Sequence, residues 1–469
     1  MRDAWFALTW MLLLPMTVMS AHVGVLLWIW VALMSPGEIL YGVMAGVPFN
    51  KIVAIITIIS IPINMEKEEF YLDELAIVIL LFTVAATISW FAAIVPGTDT
   101  DLLYQKLLKE IVLFFAITSV MLTRNRIHLV LVIIALSIGF FSVKEGLIFA
   151  LTAGGHIILG SGAIGDNNAL ATAMLMIVPI LYYLYRYSKL RAVRLCFMAA
   201  LVLSLIATIG TYSRGGFVGM LVLGMFMVKN SRHRISTTLL VGLAGMLVYA
   251  LAPATWFTRL DTINSATDDG SFMGRVIAWK MSVLVALDRP MTGGGPHSIH
   301  RLLVWETYRP RLYYLDFITT PPADTLPHAA HSIWFEILGD LGFPGLTLFL
   351  AILILTFWKC RSIARMTRGH PSLAWAGDLA RMLQISLAVY VTTGSALSLG
   401  YFEMYYIIVA LLSRVSRTVQ QTLAEQARPA GVAMLNRHLP SRAPRPALAR
   451  TGGYQGLTAN IQRPARNTE

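Results

Sequence analysis

The feature that most constrains this chain is a succession of apolar runs, each roughly long enough to cross a bilayer. They lie near 6–34, 46–63, 75–95, 107–123, 129–151, 168–187, 195–212, 215–229, 236–253, 332–358, 382–399 and 402–418. A helix needs about 20 apolar residues to span the hydrocarbon core. The runs are continuous rather than alternating, so they are not barrel strands. Helices are the remaining spanning form, because lipid offers unpaired backbone groups no partner. With 57% hydrophobic and 13% charged residues, a soluble globular protein is excluded. The expected fold is an all-α polytopic membrane protein of about twelve transmembrane helices with a large outer loop that itself contains helices. The first run, from Trp5 to Met34, is too long for the core of a cleaved signal. It reads as a span that stays in the chain, or as two shorter helices.

Charge sets the orientation. Arg124 and Arg126, the cluster from Arg186 to Arg194, Lys229 to Arg234, and Lys359 to Arg368 mark cytoplasmic connections and put both termini inside. The connection Met65–Glu74, rich in acidic residues, fits less well, but acidic residues weigh little in this rule. The net charge of +12 does not indicate nucleic acid. After Ser413 the chain has nine arginines against Glu425 and Glu469, so +7 of it lies in one tail suited to anionic membrane lipids. Cys196 and Cys360 both neighbour basic clusters, which predicts reduced thiols and no disulfide. The chain thus divides into spans within 1–253, a large loop at 254–331, spans within 332–418, and a basic tail at 419–469 expected to be disordered.

The unusual polar chemistry falls on the outer face, chiefly between Trp256 and Gly345. Arg214 sits in Thr211-Tyr212-Ser213-Arg214-Gly215-Gly216, between two apolar runs, where an arginine is costly and commonly meets an anion. Arg275 begins an amphipathic helix from Gly274 to Asp288, in a first turn whose dipole disfavours a cation. Ile277, Met281, Leu284 and Leu287 share its apolar face. Asp288-Arg289-Pro290 and Gly293-Gly294-Gly295-Pro296-His297 then stop the helix. The glycines are a weak phosphate cradle, lacking the Lys-Ser/Thr of a nucleotide loop. His331 opens the next spanning helix, where dipole and nearby arginines favour neutral imidazole, able to accept a hydroxyl proton. His328 lies three residues earlier and would share its face if that helix began early.

Three other features have plain readings beside functional ones. Asp99-Thr100-Asp101 has the spacing of a metal-diphosphate motif but sits among ordinary loop residues. Asp166 and Asn167 lead into a helix as caps or as site residues. Lys144 and Glu145 lie within a span, and adjacent helical residues do not face each other, so each needs a separate partner.

Four stretches together resemble the membrane ligase and polymerase superfamily that handles O-antigen and related bacterial glycans. They are Gly165-Asp166-Asn167-Asn168-Ala169; Ser213-Arg214-Gly215-Gly216; Gly274-Arg275 to Trp279 with Asp288-Arg289-Pro290 and Gly293 to Pro296; and His331-Ser332 through Leu341-Gly342-Phe343-Pro344-Gly345. Ser332 replaces the commoner Asn, and Asp340 stands where Glu is usual. The pattern is also similar to that of protein O-glycosylation ligases.

The resemblance implies a GT-C-like glycosyltransferase of the bacterial inner membrane with its active face periplasmic. It would move a glycan from undecaprenyl diphosphate to a hydroxyl of lipid A–core, a growing polymer or a protein, without cofactor or metal. His331, Arg214 and Arg275 would be catalytic, and Arg289, Asp166, Asn167 and His297 would bind substrate. A transporter for the same lipid would need charges along a path through the bilayer. Here they cluster on one face.

Overall fold

The computed structural model describes residues 2–40, 44–64, 72–160, 164–230, 270–323 and 326–427, with isolated helical positions between 234 and 246. Most of the expected span 236–253, the loop start 254–269, the acidic turn 65–71 and the tail beyond 427 lie outside the described residues. Residues 1–421 form one compact unit and 422–469 a second. Among the described residues the structure is helical, with no strand.

The first run, 6–34, is two helices, α1 (Arg2–Met19) and α2 (Ala21–Met34), because Ser20 between them is extended at φ −152°, ψ 110°. A short turn, α3 (Pro36–Ile39), precedes α4 (Phe49–Ile63), α5 (Glu74–Phe91), α6 (Thr98–Val120), α7 (Arg124–Leu151), α8 (Asn167–Tyr187), α9 (Arg191–Gly210) and α10 (Arg214–Asn230). After the undescribed stretch come α11 (Gly270–Asp288), α12 (Leu302–Tyr308), α13 (Ile333–Met366), α14 (Ala374–Gly394) and α15 (Glu403–Ala427). Five of these, α5, α7, α8, α9 and α13, are long and apolar enough to cross a membrane, and Phe6–Met19, α2 and α4 are shorter apolar helices. By length and composition this is a multi-pass membrane protein. α6, α10, α14 and α15 coincide with expected spans but do not combine the same length and apolarity.

Burial separates the centre of the bundle from its lipid face. In α8, 78% of the most apolar window is buried, against 22% in α9. Lipid tails are as apolar as leucine, so helices associate through close packing rather than hydrophobic gain. Small residues provide it: a Cβ at Gly146 of α7 would lie 2.3 Å from the Leu203 carbonyl oxygen of α9. Helix ends sort into two layers. In one, Tyr187 donates to Asp378 (2.7 Å), Lys359 bridges Asp73 (2.8 Å) and Glu74 (3.1 Å), and Arg414 donates to the Leu122 carbonyl (3.2 Å). In the other, Asn167 donates to the Thr211 carbonyl and the Ile94 amide to the Gly294 carbonyl.

Two sequence expectations change in this framework. Lys144 and Glu145 do pair, at 3.0 Å, since the long lysine side chain can curl back to its neighbour. The other Glu145 oxygen takes His156 at 2.7 Å. Asp99 and Asp101 lie in the first turn of α6 rather than in a loop.

Between α10 and α13, the described part of the large loop folds into a helical lobe. Ile277, Met281, Leu284 and Val285 of α11 pack with Ile299, Val304, Trp305, Tyr308 and Leu312. Leu287 does not join them. It is exposed, because the helix ends at Asp288 beyond the lobe's core. Each buried apolar side chain contributes roughly 1.5–3 kcal/mol, so α11 is the lobe's core helix, and it packs against α13.

Candidate active site

His331 stands before α13 rather than in it. Ser332 is the N-cap, with extended backbone, and the helix begins at Ile333. His331 itself has φ 44°, in the left-handed region. Non-glycine residues are uncommon there and strained, and such residues concentrate at functional sites. Two hydrogen bonds hold this conformation from either side. The Trp279 indole donates to the Ala330 carbonyl at 2.6 Å, and the His331 amide donates to Ser398 Oγ at 3.0 Å. Trp279 is fixed in turn by stacking on Phe335, with centroids 5.1 Å apart and planes 10° from parallel.

The imidazole lies among charges from three other elements. Burial lowers its pKa below the ordinary histidine value. Arg275 lowers it further, Asp166 opposes this, and His328 adds a smaller downward push. The helix-dipole argument from sequence therefore gives way to burial and Arg275. Arg275 is not in a first turn either, since α11 starts at Gly270 and the arginine is its sixth residue. Its cation conflicts less with the helix dipole there. His328 shares no helical face with His331. Its ring packs edge-on to Trp305 and against Gly274, next to Arg275.

Asp166 and the Arg214 turn are joined through side chains. Asp166 caps α8 by accepting from the Ala169 amide at 2.8 Å. Asn167 Nδ2 donates to the Thr211 carbonyl at 2.8 Å, and Ser213 Oγ donates to Asn168 Oδ1 at 2.7 Å. Ser213 also receives the Gly216 amide at 2.9 Å, capping α10 just before Arg214 enters it. Tyr212, two residues before Arg214, is left-handed at φ 52°. Capping and site placement are thus the same set of bonds.

Arg289 and His297 lie elsewhere. Arg289 is fourteen residues past Arg275, roughly 20 Å along the helix. Its charge acts on Tyr308, beside the ion pair of Arg311 with Asp288. His297, left-handed at φ 65°, packs on His300 with ring centroids 3.9 Å apart. Burial lowers the pKa of both. Arg301 adds to the effect at His297 and Asp99 opposes it, while His297 and His331 add to it at His300. These two rings, with Leu103, Ala330, Glu336 and Asp340, line a cavity with room for about one water.

The glycine run is no phosphate cradle. Its amides are already used: Gly293 donates to Arg289, Gly294 to Gly339 and Gly295 to Asp340 carbonyls, at 2.8, 2.8 and 3.0 Å. A Cβ at Gly293 would lie 2.6 Å from the Asp340 carbonyl. The run is a seam that binds the lobe to α13 where Gly342 breaks that helix at φ 67°, ψ −165°. Buried Asp340 completes the seam, accepting from the Ser298 amide (3.1 Å) and the Tyr401 hydroxyl (3.1 Å). Asp99 pairs with Arg301, and Asp101 accepts from the Trp90 indole at 2.8 Å, so protein groups occupy both carboxylates.

Residues 199–350 match the family model of O-antigen ligase. That stretch belongs to the O-antigen ligase superfamily. The O-antigen ligase match holds Arg214, Arg275, Arg289, His297 and His331, while Asp166 and Asn167 fall within a second match, residues 1–189, to a family of unknown function (DUF5935). No curated protein matches the chain.

Sequence reasoning missed Ser398, His300, Glu336 and the part played by Trp279 around His331. Ser398 is 67 residues from His331, and nothing local to either position signals the bond. Trp279 carried a signal, as a large polar-tipped ring one turn past Arg275.

Proposed function

We propose that this protein is a ligase-type glycosyltransferase of the bacterial inner membrane. It has twelve spans, cytoplasmic termini and a GT-C-like arrangement, and its polar layer faces the periplasm. The donor is O-antigen or a related glycan on undecaprenyl diphosphate, and the acceptor is a hydroxyl of lipid A–core. The observation that carries this reading is that Trp279 of the lobe and Ser398 of the bundle both fix the His331 turn, within the influence of Arg275 and Asp166. Residues far apart in sequence thereby share one histidine.

In the proposed reaction, neutral His331 takes the proton of the acceptor hydroxyl as its oxygen attacks the anomeric carbon. The bond from that carbon to the diphosphate oxygen breaks on the opposite side, which inverts the centre. Arg214 and Arg275 meet the charge gathering on the diphosphate with paired N–H donors. They raise the rate to the extent that these contacts tighten in the transition state. Asp166 and Asn167 hold the Arg214 turn, while Arg289 and His297 contact the glycan or its carrier farther out. The reaction is metal-independent, in keeping with the protein partners of Asp99 and Asp101. The boundaries 1–253, 254–331, 332–418 and 419–469 describe its organisation.

The test uses purified protein with undecaprenyl-diphosphate glycan and lipid A–core, with and without EDTA. Wild type is expected to transfer glycan in both conditions, and His331→Ala roughly 100- to 10,000-fold more slowly. Extension of the donor without transfer to lipid A–core would make the protein a polymerase. Loss of transfer with EDTA would overturn metal independence, and an unaffected His331→Ala would overturn the base.

A further inference from the structure

The lobe carries an exposed apolar surface that neither its core nor the candidate site uses. Leu302 and Leu303 of α12, Tyr313 and Tyr314 of the following 3₁₀ helix, and then Phe317 and Ile318 all project outward, with Phe317 82% exposed. An apolar surface of this kind on a water-facing lobe marks an interaction site. It is held out rather than left loose. Buried Lys280 of α11 donates to Thr320 at 3.0 Å and pairs with Asp316 at 3.4 Å, so residues 317–319 arch outward between two pinned ends.

One edge of this surface is stitched to a bundle helix, and the other to the end of α11 where the lobe meets α13. At one edge, Arg301 precedes Leu302 and pairs with Asp99, one turn from the exposed Leu102 of α6. At the other, Arg311 pairs with Asp288, beside exposed Leu287 and Met291. That end meets α13, whose exposed Phe343 donates its amide to the Pro290 carbonyl at 3.0 Å. Tyrosines, large aliphatics and half-buried Arg309 form the mixture found where a protein beds into headgroups. The arginine suits lipid phosphate and the rings suit the boundary with the acyl chains.

We infer that the surface from Leu302 to Ile318 rests in the outer headgroup layer of the same bilayer the bundle spans, and holds the lobe down upon it. This rests on the membrane reading of the bundle and not on glycosyl transfer, and its test reads position alone.

Phe317→Cys, in a background of Cys196→Ser and Cys360→Ser, would be labelled with an environment-sensitive fluorophore. The full chain would then be reconstituted in phosphatidylglycerol–phosphatidylethanolamine vesicles. Nitroxide on the lipid headgroup or shallow acyl carbons is expected to quench the label about twofold, and aqueous iodide to quench it little. The same result is expected from Tyr314→Cys, which serves if the first variant fails to fold. Quenching by iodide without quenching by lipid nitroxide would overturn the inference. So would protection from iodide that appears only when soluble glycan is added, which would make the surface a saccharide platform.

Discussion

At the scale of single residues, the candidate site depends on a histidine set by its backbone. The left-handed turn at His331 is fixed by the Trp279 and Ser398 hydrogen bonds. Its pKa is lowered by burial first and by Arg275 second. Arg275→Gln removes one downward influence, so the His331 pKa rises toward the ordinary value of about 6.5. The acid-side fall in transfer rate is then expected to move to higher pH, besides any loss of maximal rate. A pH–rate profile of the two proteins measures this, and an unmoved acid limb would separate Arg275 from His331. Arg214 and His331 drew notice in sequence by position, whereas Arg275 drew it through a first-turn placement that the fold does not bear out. The left-handed backbone at His331 was not legible, since it and the Ser398 bond depend on contacts across the fold.

At the scale of elements, the apolar runs gave helix positions well and helix ends less well. The expected start at Gly274 fell four residues late, which put Arg275 in the wrong turn. The glycines show the same limit. A run such as Gly293–Gly295 signals a helix stop in sequence, but only packing reveals that its amides are satisfied by α13 and Arg289. Gly146 left no local signal, yet it sets the contact of α7 with α9. Gly146→Ala places a Cβ 2.3 Å from the Leu203 carbonyl oxygen and forces the helices apart. The expected cost is about 1–3 kcal/mol. It should appear as a lower unfolding temperature in detergent, and an unchanged temperature would show that the pair packs more loosely.

At the scale of the whole molecule, three outer histidines respond to acid in one direction. His297, His300 and His331 are all held below the ordinary histidine pKa in the fold. Once pH drops below about 6.5, the unfolded chain binds protons that the folded chain refuses. Stability from these groups is therefore full above that pH and declines below it. Asp288, lowered chiefly by its hydrogen bond with Arg311, contributes stability lost at still lower pH, around and below 3.8. Between pH 7.5 and 5, acid is expected to lower the unfolding temperature less in a His297→Gln, His300→Gln variant than in wild type. An identical fall in that variant would assign the acid sensitivity elsewhere.

The break at Gly342 has a consequence for how this architecture can vary. Helical phase is not transmitted through a residue at φ 67°, ψ −165°. The upper piece of α13, from Ile333 to Leu341, is phased by the lobe through Trp279, Gly294 and Asp340. The lower piece is phased by its neighbours in the bundle. A chain built this way can tilt, lengthen or shorten the lower piece to match a thicker or thinner bilayer. The arm carrying His331 keeps its own rotation as it does so.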